Sequence, residues 1–223
     1  MIDLTLSLAE ATSDVVRRVQ RSLVVLHNGH HGVGAGIIWS NNPSQKRSLS
    51  SLILTNYHVI AHGRHLRAEL EDGTTYLARR LAQAPELDLA LLEIDTSNLP
   101  AALIADSHIL RVGELVLAIG HPWGQRSAVT AGLVSGLSTA QTRDPHKSIE
   151  IIRSDVNLAP GNSGGPLVNA SGAVVGINTM ILGGDQGIAV PSHVVSAFAE
   201  EALQQRSWQP VRGRPQPISG WIK

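Results

Sequence analysis

Residues 161–179 read GNSGGPLVNASGAVVGINT, and the fold class follows from how this stretch is punctuated. It opens on a turn with glycines at 161, 164 and 165, free to take backbone angles that β-branched residues refuse. An apolar run fills 165–169, Ser171-Gly172 marks a second turn, and another apolar run fills 173–179. Short runs rich in Val, Ile and Leu, separated by Gly, Asn, Ser and Pro, are the pattern of strands joined by tight connections.

The pattern continues outward. Strands are expected at 22–27, 33–39, 51–55, 66–70, 75–80 and 89–94, with Asp72-Gly73 as a hairpin turn. A second set is expected at 115–119, 127–137, 149–153, 165–169, 173–179 and 187–190. Helical period occurs only near the ends. Over 7–21, Ser7 and Glu10 fit a capping box while Val15, Val16 and Val19 share a face. From Pro191-Ser192 to about residue 205, Val194, Val195, Phe198 and Ala202 form the stripe to be buried. A dozen short strands exceed what one barrel needs, so the sequence predicts an all-β chain of two packed barrels with short N- and C-terminal helices. The expected divisions are an N-terminal helical segment 1–21, a first β-barrel 22–105, a second β-barrel with the C-terminal helix 106–205, and a tail 206–223.

Composition narrows the chemistry. The 223 residues carry 18 Lys+Arg against 18 Asp+Glu and no Cys, so disulfides, zinc–thiolate sites, iron–sulfur clusters and a cysteine nucleophile are excluded. The even charge argues against nucleic acid as a partner. No apolar run reaches the roughly 20 residues needed to cross a bilayer, so no membrane insertion is expected. Residues 1–20 contain Asp3, Glu10 and Asp14 and do not read as a signal peptide, which makes a cytoplasmic location the default.

The turn at 161–166 can expose the Ser163 hydroxyl and converge successive backbone N–H groups on one concavity, as an acyl-transfer oxyanion requires. A serine hydroxyl is a weak nucleophile and needs an adjacent base. His58, just after the apolar run in LTNYHVI, is the candidate base, and Asp88, at the mouth of the run in LDLALL, is the candidate orienting acid. Each alone has an ordinary structural explanation. Together, in the order His, Asp, Ser, with the first two in one strand set and the third in the other, they would meet in a cleft between barrels. His58, His62 and His65 would share a helix face, but a zinc hydrolase of that pattern needs Glu where Val59 stands, so no metal is expected. The glycines at 32, 34 and 36 do not have dinucleotide-loop spacing, and no cofactor is expected.

At these residues the chain resembles a known family. TNYHVI, DLALLEI and DVNLAPGNSGGPLV are similar to the three catalytic blocks of the HtrA/Deg branch of the chymotrypsin-like (trypsin-like) serine proteases. The likeness extends to VGELVLAIGHPWG, TAGLVSGL, GAVVGINTMIL and GIAVPSHVV, covering about residues 15–200. The resemblance implies two six-stranded chymotrypsin-like barrels and a serine endopeptidase acting through an acyl-enzyme. It implies Ser163 as nucleophile, His58 as general base and then acid, and Asp88 as the group orienting His58. It further implies oxyanion donors in the backbone of Gly161, Asn162 and Ser163, with the N–H groups of Gly161 and Ser163 foremost. Asn157, six residues before the serine, would floor the substrate pocket, walled by Leu158 and Met180-Ile181-Leu182. Cleavage after small or aliphatic residues in unfolded or extended protein chains is then expected. The family also implies a homo-oligomer, a trimer, although residues 1–25 contain no Phe, Tyr or Trp. Residues 206–223 leave no room for the PDZ domain such proteins usually carry, so the resemblance covers the protease domain alone. The rival expectation is a catalytically inert protease-fold binding or chaperone module.

Overall fold

The structure is a computed structural model that describes residues 4–29, 33–39, 50–61, 65–121, 128–141, 148–182 and 186–207. Helix α1 (Leu4–Gln20) leads into six strands: β1 (Leu23–Asn28), β2 (Val33–Trp39), β3 (Ser51–Thr55), β4 (Leu66–Glu69), β5 (Thr75–Ala84) and β6 (Leu89–Ile94). A one-turn helix, α2 (Tyr57–Ile60), interrupts them after β3. Six further strands follow: β7 (Leu115–Gly120), β8 (Ala128–Gln141), β9 (Ser148–Ser154), β10 (Pro166–Asn169), β11 (Val174–Leu182) and β12 (Gln186–Pro191). Helix α3 (Ser192–Ser207) comes last. Most of the expected tail, 208–223, lies outside the described residues.

Each set of six closes on itself with antiparallel pairing. Around the first barrel the order is β1-β2-β3-β6-β5-β4, and around the second it is β7-β8-β9-β12-β11-β10. The two orders are the same when counted from each barrel's first strand. Closure leaves no sheet edge to protect.

Alternation along β6 shows how the halves dock. Ala90, Leu92 and Ile94 point into the first barrel's core with Leu26, Ile53 and Ile60. Leu89 and Leu91 face the other way, into a cluster shared with Leu117, Ile119, Val168 and Ile177 of the second barrel. That seam also takes Val15 and Val19 of α1 and Val195 and Ala199 of α3, so the terminal helices seal it. The second barrel has its own core around Val116, Ile152, Leu167 and Ala189.

Two local expectations are corrected. Helix α1 begins at Leu4, so Ser7 and Glu10 lie within the helix and do not cap its start. Strand β5 runs on to Ala84 through a register shift between Arg80 and Ala82, because pairing with β6 outweighs the weak strand character of RRLAQA. The connector between barrels includes a short 3₁₀ turn at Ser107–Ile109, capped when the Asp106 carboxylate accepts from His108 N (2.9 Å).

Candidate active site

His58 stands on α2, and its position is set by Asp88 at the start of β6. The Asp88 carbonyl accepts from Asn56 Nδ2 (2.9 Å) and from Tyr57 N (3.0 Å). Its carboxylate accepts from His58 N at Oδ1 (2.9 Å) and from the Thr179 hydroxyl at Oδ2. His58 Nδ1 lies 2.7 Å from the same Oδ2. Both carboxylate oxygens act as acceptors, so the proton in that last contact belongs to the imidazole. In the neutral imidazole that arrangement leaves Nε2 with its lone pair, the form a general base requires. Asp88 reaches all these partners from a left-handed backbone conformation, φ 52°, which aspartate tolerates better than most residues.

Ser163 lies in the turn between Asp155 and β10. Its hydroxyl donates to the Thr179 carbonyl (3.0 Å), so Thr179 touches the acid through its side chain and the serine through its backbone. The turn is wedged between barrels: Ala35 N donates to Ser163 O (2.9 Å), Gly164 N to Asn178 O (2.9 Å), and Asn178 N to Gly165 O (2.9 Å). Gly164 has φ +81°, and a Cβ there would sit 2.2 Å from Ala35 O and 2.3 Å from Thr55 Oγ1. A Cβ on Gly165 would sit 2.3 Å from Ile119 O. The two glycines after the serine are there because backbone from both barrels occupies the space.

Of the three backbone donors expected for an oxyanion, Asn162 N is engaged, donating to Ala159 O (2.9 Å). Among the described residues, no hydrogen bond is recorded from Gly161 N or Ser163 N. Gly161 has φ +103°, and its carbonyl accepts from His121 N (3.1 Å).

The pocket residues separate. Asn157 is exposed, and its carbonyl accepts from Thr130 Oγ1 (2.9 Å). Leu158 is 8% exposed and packs within the second barrel's core, beside Val156. Met180, Ile181 and Leu182 lie on β11, with side chains outside the described residues. Asp155, the nearest acid, accepts from Leu133 N (2.6 Å) and so serves the barrel backbone. His62 lies outside the described residues, and among those described no group of three or more His, Asp or Glu could hold a metal ion.

Thr179 was not foreseen from the sequence. Its only local signal is a polar pair, Asn178-Thr179, in a largely apolar strand, GINTMIL, and nothing in that segment names its partners.

Comparison with known proteins agrees with this geometry. The profile of the family described as trypsin-like peptidase domain matches residues 34–177. The Serine protease Do-like HtrA of Bacillus subtilis is 38% identical over 184 residues, covering 78% of this chain and 40% of that protein. The mitochondrial serine protease HTRA2 of Bos taurus is 34% identical over 207 residues, covering 90% of this chain and 45% of that protein. The chain thus spans less than half the length of these relatives. Among solved structures, the HtrA-type protease AlgW with tripeptide superposes with a TM-score of 0.75 at 31% identity, covering 87% of this chain and 64% of that one. The serine endoprotease from Yersinia pestis gives a TM-score of 0.74 at 29% identity, covering 87% and 67%. With the double barrel, the glycine-walled serine turn and the matched profile in agreement, this chain belongs to the trypsin-like peptidase domain family, among relatives of the HtrA type.

Proposed function

We propose that the chain is a serine endopeptidase in which Ser163 attacks a peptide carbonyl, His58 takes and returns the proton, and Asp88 orients His58. The observation that carries this reading is the shared contact with Thr179, which holds the acid of one barrel and the serine of the other within one residue's span. In the resting site the Ser163 hydroxyl points to the Thr179 carbonyl. Rotation about its Cα–Cβ bond turns it toward the imidazole, a rearrangement typical of catalytic hydrogen bonds that tighten on substrate binding. Attack forms a tetrahedral oxyanion, which the free N–H groups of Gly161 and Ser163 would receive. His58 then protonates the leaving amine, the acyl-enzyme forms on Ser163, and water reverses the sequence.

Specificity for small or aliphatic residues rests on what the pocket lacks. No carboxylate stands at position 157, and Asp155 is engaged with Leu133 N, so among the described residues a substrate Arg or Lys would meet no free acid there. Extended or unfolded chains are the substrates that can lie along the cleft as an added strand.

The test is labelling with a fluorophosphonate probe, which reports an activated serine, followed by a peptide-library cleavage profile. Labelling of the parent but not of Ser163→Ala supports the reading. An unlabelled parent would point to an inert binding module on the same fold, and dominant cleavage after Arg or Lys would refute the apolar pocket.

A further inference from the structure

Helix α2 carries the base yet has only four residues, too few to hold itself in place. Its start is fixed by Asp88, as described. Its end presents free carbonyls, and two side chains from outside the helix meet them. Asn28, the last residue of β1 and 4% exposed, donates from Nδ2 to Val59 O (2.8 Å). Arg80, on β5, donates from its guanidinium to Ile60 O (2.9 Å) and to Gln83 Oε1 (2.9 Å). These are the carbonyls of the two residues directly after His58.

Two independent features show that this arrangement is built. Asn28 Oδ1 is buried with no hydrogen-bond partner among the described residues. An orphaned buried acceptor is destabilising, and an apolar residue would avoid that cost, so what distinguishes asparagine here is its donor. The β5 register shift falls immediately after Arg80, leaving Leu81 as the extra residue. Bulges of this kind bend a strand and re-aim its side chains, often beside active sites.

We infer that Asn28 and Arg80 are positioning residues for the general base, acting through the Val59 and Ile60 carbonyls to hold His58 against Asp88. This rests on the protease reading above and extends it to residues that touch neither substrate nor Ser163.

The experiment compares Arg80→Met, Arg80→Lys and Asn28→Ala with the parent chain. Thermal midpoints establish folding, and Arg80 is exposed enough for its variants to fold even if Asn28→Ala does not. The rate of fluorophosphonate labelling, with kcat and KM on an unstructured peptide, reads the chemistry. Exchange of the His58–Asp88 bridging proton, followed by NMR, reads the base directly and needs no turnover. Arg80→Met and Asn28→Ala should lose about tenfold in labelling rate and kcat with KM unchanged, a fraction of the hundredfold that a 1 Å misplacement can cost. Their bridging proton should exchange about tenfold faster, and Arg80→Lys, which keeps a donor on a long stem, should restore both quantities most of the way. Parental labelling and exchange rates in folded Arg80→Met overturn the inference, as does a loss that only tracks the unfolded fraction. A parent chain that is never labelled refutes the protease reading instead, while proton exchange still decides the positioning role.

Discussion

Replacing Gly164 by alanine puts a methyl group 2.2 Å from the Ala35 carbonyl oxygen and 2.3 Å from Thr55 Oγ1. Neither neighbour can step aside cheaply, because Thr55 Oγ1 donates to that same oxygen at 2.7 Å inside the seam. Opening this buried hydrogen bond costs about 1–3 kcal/mol. Holding alanine at φ +81° adds about 1–2 kcal/mol. The total, about 2–5 kcal/mol, corresponds to a fall in Tm of roughly 4–20 °C for a chain of this length. The same push moves β2 away from the turn and breaks the bond from Ala35 N to Ser163 O, so labelling of the serine should fall by up to about a hundredfold. Gly172→Ala is the control. It also has φ +81°, but its nearest neighbour is Val15 Cγ1 at 3.2 Å, so it should show the backbone strain of about 1–2 kcal/mol and label at the parental rate. Differential scanning calorimetry and labelling kinetics on both variants decide the matter. If Gly164→Ala melts with Gly172→Ala and reacts like the parent, the claim that the second glycine is required by contact between barrels is wrong.

Ser163→Ala should abolish peptide cleavage, by a factor on the order of 10⁶, while leaving Tm within a degree or two by calorimetry, since it removes one hydroxyl–carbonyl contact. His58→Ala should be nearly as damaging, and the double variant little worse than either, because the groups serve one transition state; additive losses in kcat would show that they act separately. Thr179→Val keeps the carbonyl beside Ser163 and removes the donor to Asp88, so kcat should fall by about tenfold, the lower end of the worth of a hydrogen bond to a charged group. Retention of the parental kcat would show that the remaining donors suffice. A base must be neutral to act, so kcat/KM should decline on acidification from about pH 8 to about pH 5, and a flat profile over that range would remove His58 from the role.

The strand pattern was legible because each strand is short, apolar and closed by turn residues, a signal that needs no knowledge of partners. Where strands ran beyond expectation, at Leu81–Ala84 and Ser138–Gln141, the extra residues are held by pairing with β6 and β9, which no local pattern records. Helix α2 was not among the expected helices because a single turn is too short to repeat the helical period. The matching strand order of the barrels has no counterpart as a sequence repeat, since burial and turn positions constrain topology far more tightly than residue identity. Within the site, Ser163 was legible through the chemistry of its own turn. Thr179, Asn28 and Arg80 were not, because their roles exist only once β11, β1 and β5 have been brought against other segments. Leu158 was named through the family resemblance alone, and no local pattern announced its packing in the second barrel's core.

A site divided between two barrels inherits the mechanics of the joint. His58 and Asp88 hang on one body and Ser163 on the other, linked by the Ala35–Ser163 strut and by Thr179. A slip along the apolar seam by a fraction of an ångström would leave every ladder within each barrel intact while parting the reacting groups. Reactivity is thus far more fragile than the fold that houses it. On the proposed reading, a shift at this joint would disengage the reacting groups without unfolding either barrel.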